Sequence, residues 1–382
     1  VLQQYAVLVA SIRASGTVAS ISEGLLLNPN NKYEIKKVEI ETCGPLYQKW
    51  KSKKRLYRKA PESGLKLNVE YADTGCLNGP NVLCLHGAPG GHSDFGQLIT
   101  YFSRKNVRVI APNFPDYSLT EVTHFFRHTP EEKTEYLKDF LKAIDINEID
   151  LVVSHSSSVY PALHLWDEGV PKVKSLALIN PAGHRRIKAM KPKWFIDGSV
   201  RVYLNPLGRW IYRKLGNTIL TLQGVPVKIN NIDNVLLSAT TMYHSEVHKL
   251  THYLNAVKEK RTPCLYVFSV NDKLIEEKIF LEMAQQLGLT ESEFNEFDVE
   301  GSLVKRGLSN SNVVAMRFQS GGHYAFLKHG AIVNQWIENL LQSVCEKKSL
   351  FESPRDEKSN LRSDERAEAE ESKSMKIRAK NI

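Results

Sequence analysis

From about residue 32 to residue 346, short apolar runs alternate with helix-length amphipathic segments, and few architectures accommodate that alternation. "NVLCLHG", "VRVIAPNF", "IDLVVSH", "VKSLALINP", "CLYVFSVND" and "NVVAMRFQSGG" read as strands. They are apolar almost throughout, as strands covered on both faces must be. Between them, "DFGQLITYFSRK", "SSVYPALHLWDEG", "EKIFLEMAQQLG" and "AIVNQWIENLLQSV" read as helices. Another helix opens at Thr129, with Pro130 at its first position and Glu132 completing a capping box. Strands alternating with helices imply an α/β fold, a mostly parallel central sheet with helices on both faces. "YEIKKVEIE" and "LKLNVEYADTG" alternate with period two and lead the sheet as an antiparallel pair. The basic stretch between them, "LYQKWKSKKRLYRKAPESG", is expected to be an exposed loop.

The alternation stops between residues 182 and 260, too long a span for a loop and without clear strands, so an inserted helical cap is expected there. The expected organisation is therefore a leader over 1–31, the first part of the core over 32–181, the cap over 182–260, the second part of the core over 261–346 and a tail over 347–382. The tail mixes charges of both signs with few apolar residues and reads as disordered. Its first 22 residues lack acidic side chains and carry one arginine, Arg13, so a frayed segment fits the leader better than a mitochondrial transit peptide, which stays the alternative. Cys43, Cys76, Cys84, Cys264 and Cys345 show no CxxC spacing, which points to a reducing compartment, the cytoplasm first, and to no structural zinc. The formal charge of +9 favours anionic partners. Zinc-finger spacing and RNA-binding aromatic signatures are absent from the sequence, so nucleic acid is not among the partners expected.

Ligands of an open parallel sheet bind beyond the carboxyl ends of its strands, so the residues just after each strand carry the chemistry. After "IDLVV" comes Ser154-His155-Ser156-Ser157-Ser158. Set against the elbow G-x-S-x-G, Ser154 and Ser158 take the glycine places and Ser156 takes the tip. Ser157 or Ser158 at the tip would need a longer strand and a later helix. A serine-rich helix cap is the plainer reading of this stretch by itself. A serine hydroxyl needs a base, and the base needs an orienting acid. Asp272 follows the strand "CLYVFSVN", and His323 follows "NVVAMRFQSGG". Each is ordinary alone, but nucleophile, acid and base at successive strand ends in that order make a triad. An oxyanion needs backbone N–H donors. Ser157, next to the nucleophile, and Ala88 in "HGAPGGHSDF" are the two expected, since Pro89 has none to give. His86 and His155 are expected to brace and pack.

Together "HGAPGGHSDF", "VVSHSSS", "SVNDKLIE" and "GGHYAFLKHGAIV" resemble the α/β-hydrolase superfamily over residues 32 to 347, and "YADTG" is similar to the turn before its first buried strand. "LINPAGHRRIKAMKP" is similar to an uncharacterised branch best represented in roundworms. The resemblance implies hydrolysis of a carboxylic ester or related acyl substrate through a seryl acyl-enzyme, without metal or cofactor. Ser156 would attack, His323 would shuttle the proton, Asp272 would hold the imidazole, and Ala88 and Ser157 would form the oxyanion hole. Serine in place of both elbow glycines departs from the pattern, and a catalytically weak binding module on the same fold is the alternative.

The cap mixes Arg and Lys with Trp194, Phe195, Tyr203, Trp210 and Tyr212. Such a segment suits a small acyl or lipid-like substrate and a peripheral contact with anionic membrane. The plainer reading has its aromatics facing the pocket and its cations facing water.

Overall fold

The computed structural model describes residues 33–117, 125–222, 232–308 and 312–346. The expected leader and tail lie outside the described residues. The apolar runs become the inner strands of a 10-stranded sheet. In chain order the strands are β1 (Glu34–Thr42), β2 (Leu65–Asp73), β3 (Asn81–Leu85), β4 (Arg108–Pro112), β5 (Leu151–His155), β6 (Leu176–Ile179), β7 (Cys264–Ser269), β8 (Phe294–Phe297), β9 (Leu303–Lys305) and β10 (Val313–Phe318). They lie side by side as β1-β2-β4-β3-β5-β6-β7-β10-β8-β9. The β1–β2, β2–β4 and β8–β9 pairs are antiparallel, and the other pairs in the sheet are parallel. Strand direction thus follows the pattern in the sequence, with the period-two segments at one edge.

Two apolar cores cover the sheet. One face packs on α2 (Gly96–Phe102), the short α10 (Ala325–Lys328) and α11 (Gly330–Glu346), through Phe102, Phe326, Val333 and Ile337. The other packs on α3 (Pro130–Ala143), α4 (Val159–Glu168), α8 (Leu250–Glu259) and α9 (Glu277–Gln286), through Tyr136, Leu163, Leu254 and Phe280. Thr129 caps α3 as the sequence implied, accepting from the Glu132 N–H while the Glu132 carboxylate reaches back to the Thr129 N–H. Between β6 and β7 the described elements are helical: α5 (Lys193–Tyr203), α6 (Pro206–Leu222), α7 (Ile232–His244) and α8, with short 3-10 turns. The first three pack on one another, whereas α8 lies against α4 and α9 of the core.

Two expectations differ from what the chain does. The basic stretch after β1 is not a simple exposed loop. It contains α1 (Gly44–Lys51) and a 3-10 turn over Arg55–Tyr57 that bury Tyr47, Trp50 and Tyr57 while the lysines stay outside. Tyr47 and Trp50 sit three apart on one helix face, and their rings meet Tyr57 at 5.3 and 4.7 Å. The sequence also does not show β8 and β9, the last two strands at the other side of the sheet; at 4 and 3 residues they are too short to show a period. Among the described residues no helix is long and apolar enough to cross a membrane.

Candidate active site

Ser156 sits at the sharp turn between β5 and α4, with a left-handed φ of 56°. A serine holds that conformation only when its surroundings impose it, which is the strained geometry an elbow needs. Ser154 and Ser158 are both buried, and each finds room where the elbow pattern has glycine. The Ser158 hydroxyl accepts from the His155 N–H at 3.0 Å and has the Leu85 carbonyl at 2.7 Å as acceptor, so it stitches the turn to β3. The close approach that does demand a glycine has moved across the cleft to Gly87. A Cβ there would stand 2.9 Å from the Ser156 Cβ and 3.2 Å from the His155 ring.

The parallel sheet brings the ends of β5, β7 and β10 to one rim, and Ser156, Asp272 and His323 meet there. His323 Nε2 is 2.8 Å from the Ser156 hydroxyl oxygen, and its Nδ1 is 2.7 Å from Asp272 Oδ2. The turn into His323 runs through Gly321 at φ 114° and Gly322 at φ 59°. A Cβ on Gly321 would meet the Ala325 Cα at 2.9 Å. The Asp272 side chain is fully buried. Burial works against its charge, but the adjoining His323 and the N–H groups of Ile275 and Leu274 outweigh it and hold the carboxyl below its ordinary value. Those two N–H groups donate to Oδ1, which leaves Oδ2 for His323.

Asn180, at the end of β6, completes the arrangement. Its Nδ2 donates to Asp272 Oδ2 at 3.0 Å and to the Gly322 carbonyl at 3.1 Å, tying the acid to the histidine turn. Sequence reasoning passed it over, although it too stands just beyond a strand.

Ala88 and Ser157 follow, in the chain, the two residues that approach each other across the cleft, Gly87 and Ser156. No hydrogen bond among the described residues engages either amide. His86 fixes the loop that carries Ala88: its Nδ1–H donates to the Gly87 carbonyl at 2.7 Å and its Nε2 accepts from the Phe114 N–H at 2.8 Å. His155 donates from Nε2 to the carbonyl of His323 at 2.9 Å and packs on His323, Tyr324 and Phe326. Burial pulls both imidazoles down to about 3, so they stay neutral and serve as braces.

Sheet order, inserted helices and reactive rim together define an α/β-hydrolase fold. The chain belongs to the family described as "alpha/beta hydrolase of unknown function (DUF1057)", whose model matches residues 49–342. An uncharacterised protein of Caenorhabditis elegans is 25% identical over 151 residues, covering 35% of this chain and 42% of that protein. The chain thus spans less than half of that relative's length, and the roundworm likeness agrees with the resemblance in the sequence. Among solved structures, a thermophilic esterase of Thermogutta terrifontis superposes with a TM-score of 0.54 at 15% identity, over 81% of this chain and 99% of that one. A lipase candidate, Lip1, of Acinetobacter baumannii AYE gives 0.50 at 18%, over 74% and 89%. At such identities the likeness is one of fold.

Proposed function

We propose that the protein is a serine hydrolase that cleaves a carboxylic ester or related acyl substrate through a seryl acyl-enzyme. The observation that carries this reading is the hydrogen-bonded line Ser156 Oγ, His323, Asp272 at 2.8 and 2.7 Å on a strained turn. The Ser156 oxygen bonds to the acyl carbon as His323 Nε2 takes its proton. The bond to the alcohol oxygen then breaks, and His323 gives that oxygen the proton. Water repeats the sequence: its proton goes to His323, its oxygen bonds to the acyl carbon, and the Ser156 oxygen leaves and recovers a proton. The Ala88 and Ser157 amides face the oxyanion in both halves, each such donor lowering the barrier by roughly 3–4 kcal/mol. Esterase and lipase neighbours support a hydrolase at the level of fold. The five free cysteines support a cytoplasmic placement.

Fluorophosphonate labelling tests the reading. Wild type and Ser157→Ala should label, and Ser156→Ala should not. Folded wild type that neither labels nor turns over short- or long-chain p-nitrophenyl esters would leave the binding-module reading in its place.

The cap supports a lipid-surface role for the same enzyme. Trp194 is 76% and Trp210 57% exposed, and Val202, Leu207 and Leu215 are exposed beside them. Lys193, Arg201, Arg213 and Lys214 are interspersed. Aromatic and aliphatic side chains among cations fit an anionic bilayer better than water. Wild type should float with phosphatidylcholine vesicles that contain phosphatidylserine and not with phosphatidylcholine alone. The double substitution Trp194→Ser, Trp210→Ser should abolish flotation. Equal behaviour with the two vesicle types would end the proposal.

A further inference from the structure

A second set of reactive groups, absent from the scheme above, lies where the core meets the cap. Arg127 Nε, His128 Nδ1, Lys133 Nζ, Arg209 Nε and His244 Nε2 are all buried, and none has a hydrogen-bond partner. As whole residues, Arg127, His128, Lys133 and Arg209 are more than nine-tenths buried. Other buried side-chain atoms of the described residues are unpaired too, but Lys133 and two arginines unpaired in one neighbourhood with two imidazoles call for an account.

The five come from separate segments that share one neighbourhood. Arg127 and His128 precede α3, Lys133 is in its first turns, Arg209 is on α6 and His244 ends α7. Their electrostatic influence on one another marks the proximity. Burial opposes the charge of Arg127, His128 and His244 most; after it, Glu132 favours the charge on Arg127 and Asp116 that on His128, while Arg209 opposes Arg127, Lys133 and Arg127 oppose His128, and Arg127, His128 and Lys54 oppose His244. Lys133 Nζ lies over the rings of Phe114 at 4.4 Å and Tyr117 at 5.6 Å. Tyr117 in turn stands between His128, at 5.2 Å, and His86 of the Ala88 loop, at 5.8 Å. Because α3 starts at the carboxyl end of the sheet, the cluster shares the rim with Ser156.

The acids facing this cluster do not satisfy it. Asp116 accepts from His128 Nε2 at 2.8 Å. The Glu132 carboxylate already accepts from Tyr47, Tyr57, the Arg127 N–H and both the N–H and the hydroxyl of Thr129. Both acids favour the charge on Lys133, and Glu132 favours that on Arg127, but neither hydrogen-bonds to any of the five nitrogens, which are donors when protonated. A planar carboxylate or a tetrahedral phosphate supplies several acceptors at once and the missing negative charge.

We infer that the core–cap junction is a subsite for an anionic group of the substrate, a carboxylate or a phosphate, received by Arg127, His128, Lys133, Arg209 and His244. This rests on the hydrolase reading of Ser156 and narrows it to acyl substrates that carry a negative charge away from the scissile bond. Because Arg209 and His244 belong to the cap and the others to the core, the anion also draws the two together.

Binding and turnover test it separately. Glutarate and inorganic phosphate are titrated calorimetrically into wild type, Ser156→Ala, Lys133→Met and Arg209→Met; the anion that binds identifies the chemistry. Wild type and Ser156→Ala should bind alike, and the other two should bind about 10-fold or more weakly. In turnover, mono-p-nitrophenyl glutarate should be preferred over p-nitrophenyl valerate by about 10-fold or more in kcat/KM. The preference should fall toward one in Lys133→Met and Arg209→Met and survive in Arg209→Lys, a control against general damage. Wild type that binds neither anion, or a preference untouched by both methionine variants, overturns the subsite while the hydrolase reading stands. Anion binding that Lys133→Met and Arg209→Met weaken, in a protein that labels with no fluorophosphonate and cleaves no ester, keeps the site and removes the hydrolase.

Discussion

Asp272→Asn is expected to lower kcat on a p-nitrophenyl ester by roughly 10⁴-fold, and His323→Ala by at least as much, about 10⁴ to 10⁶. The first loss follows from which oxygen of Asp272 does what. Oδ1 accepts from the backbone N–H groups of Leu274 and Ile275 at 2.8 and 3.1 Å, so in the amide variant the remaining oxygen must take that place. The amide NH2 is then turned toward His323 Nδ1 and toward Asn180 Nδ2, itself a donor 3.0 Å away. Facing a donor, the imidazole carries its proton on Nε2 instead, where it can no longer take the proton of Ser156. Binding should suffer little, so KM should move far less than kcat. Turnover within 10-fold of wild type in Asp272→Asn would show that His323 does not act as base through the Asp272 contact.

This rim was largely legible in the sequence because the parallel sheet does the assembling. Once "IDLVVSH", "CLYVFSVND" and "NVVAMRFQSGG" are taken as parallel strands, the residues after each must share an edge, whatever the loops do. Ser156, Asp272 and His323 needed no knowledge of their distances to be grouped. Asn180 obeys the same rule at the end of "VKSLALIN", yet an amide is not a reactive type, and its work is to hold Asp272 and Gly322. What the sequence hid were convergences that no local period encodes. The lysines of the stretch after β1 suggested a loop, while Tyr47, Trp50 and Tyr57 in the same stretch pack inward. The orphaned nitrogens at the cap junction are spread from Arg127 to His244, and each residue alone looks like an ordinary surface side chain.

Glu132→Ala should destabilise the fold by about 3–5 kcal/mol, read as a drop in unfolding free energy in urea. In the sequence Glu132 is half of a capping box, and loss of a cap costs about 1 kcal/mol. The structure gives its carboxylate a larger part. Oε1 accepts from the Tyr57 and Tyr47 hydroxyls at 3.0 and 3.1 Å. Oε2 accepts from the Arg127 N–H, the Thr129 N–H and the Thr129 hydroxyl at 3.0, 3.1 and 3.1 Å. Alanine leaves all these donors buried without an acceptor, each costing about 1–3 kcal/mol before relaxation. It also releases the segment after β1, whose two tyrosines are anchored there, and loosens the approach to α3 that carries Arg127 and His128. Glu132→Gln keeps the shape but points an NH2 at donors, so it should fall between alanine and wild type. A loss near 1 kcal/mol in Glu132→Ala would mean that the carboxylate only caps α3 and that Tyr47 and Tyr57 are held by packing alone.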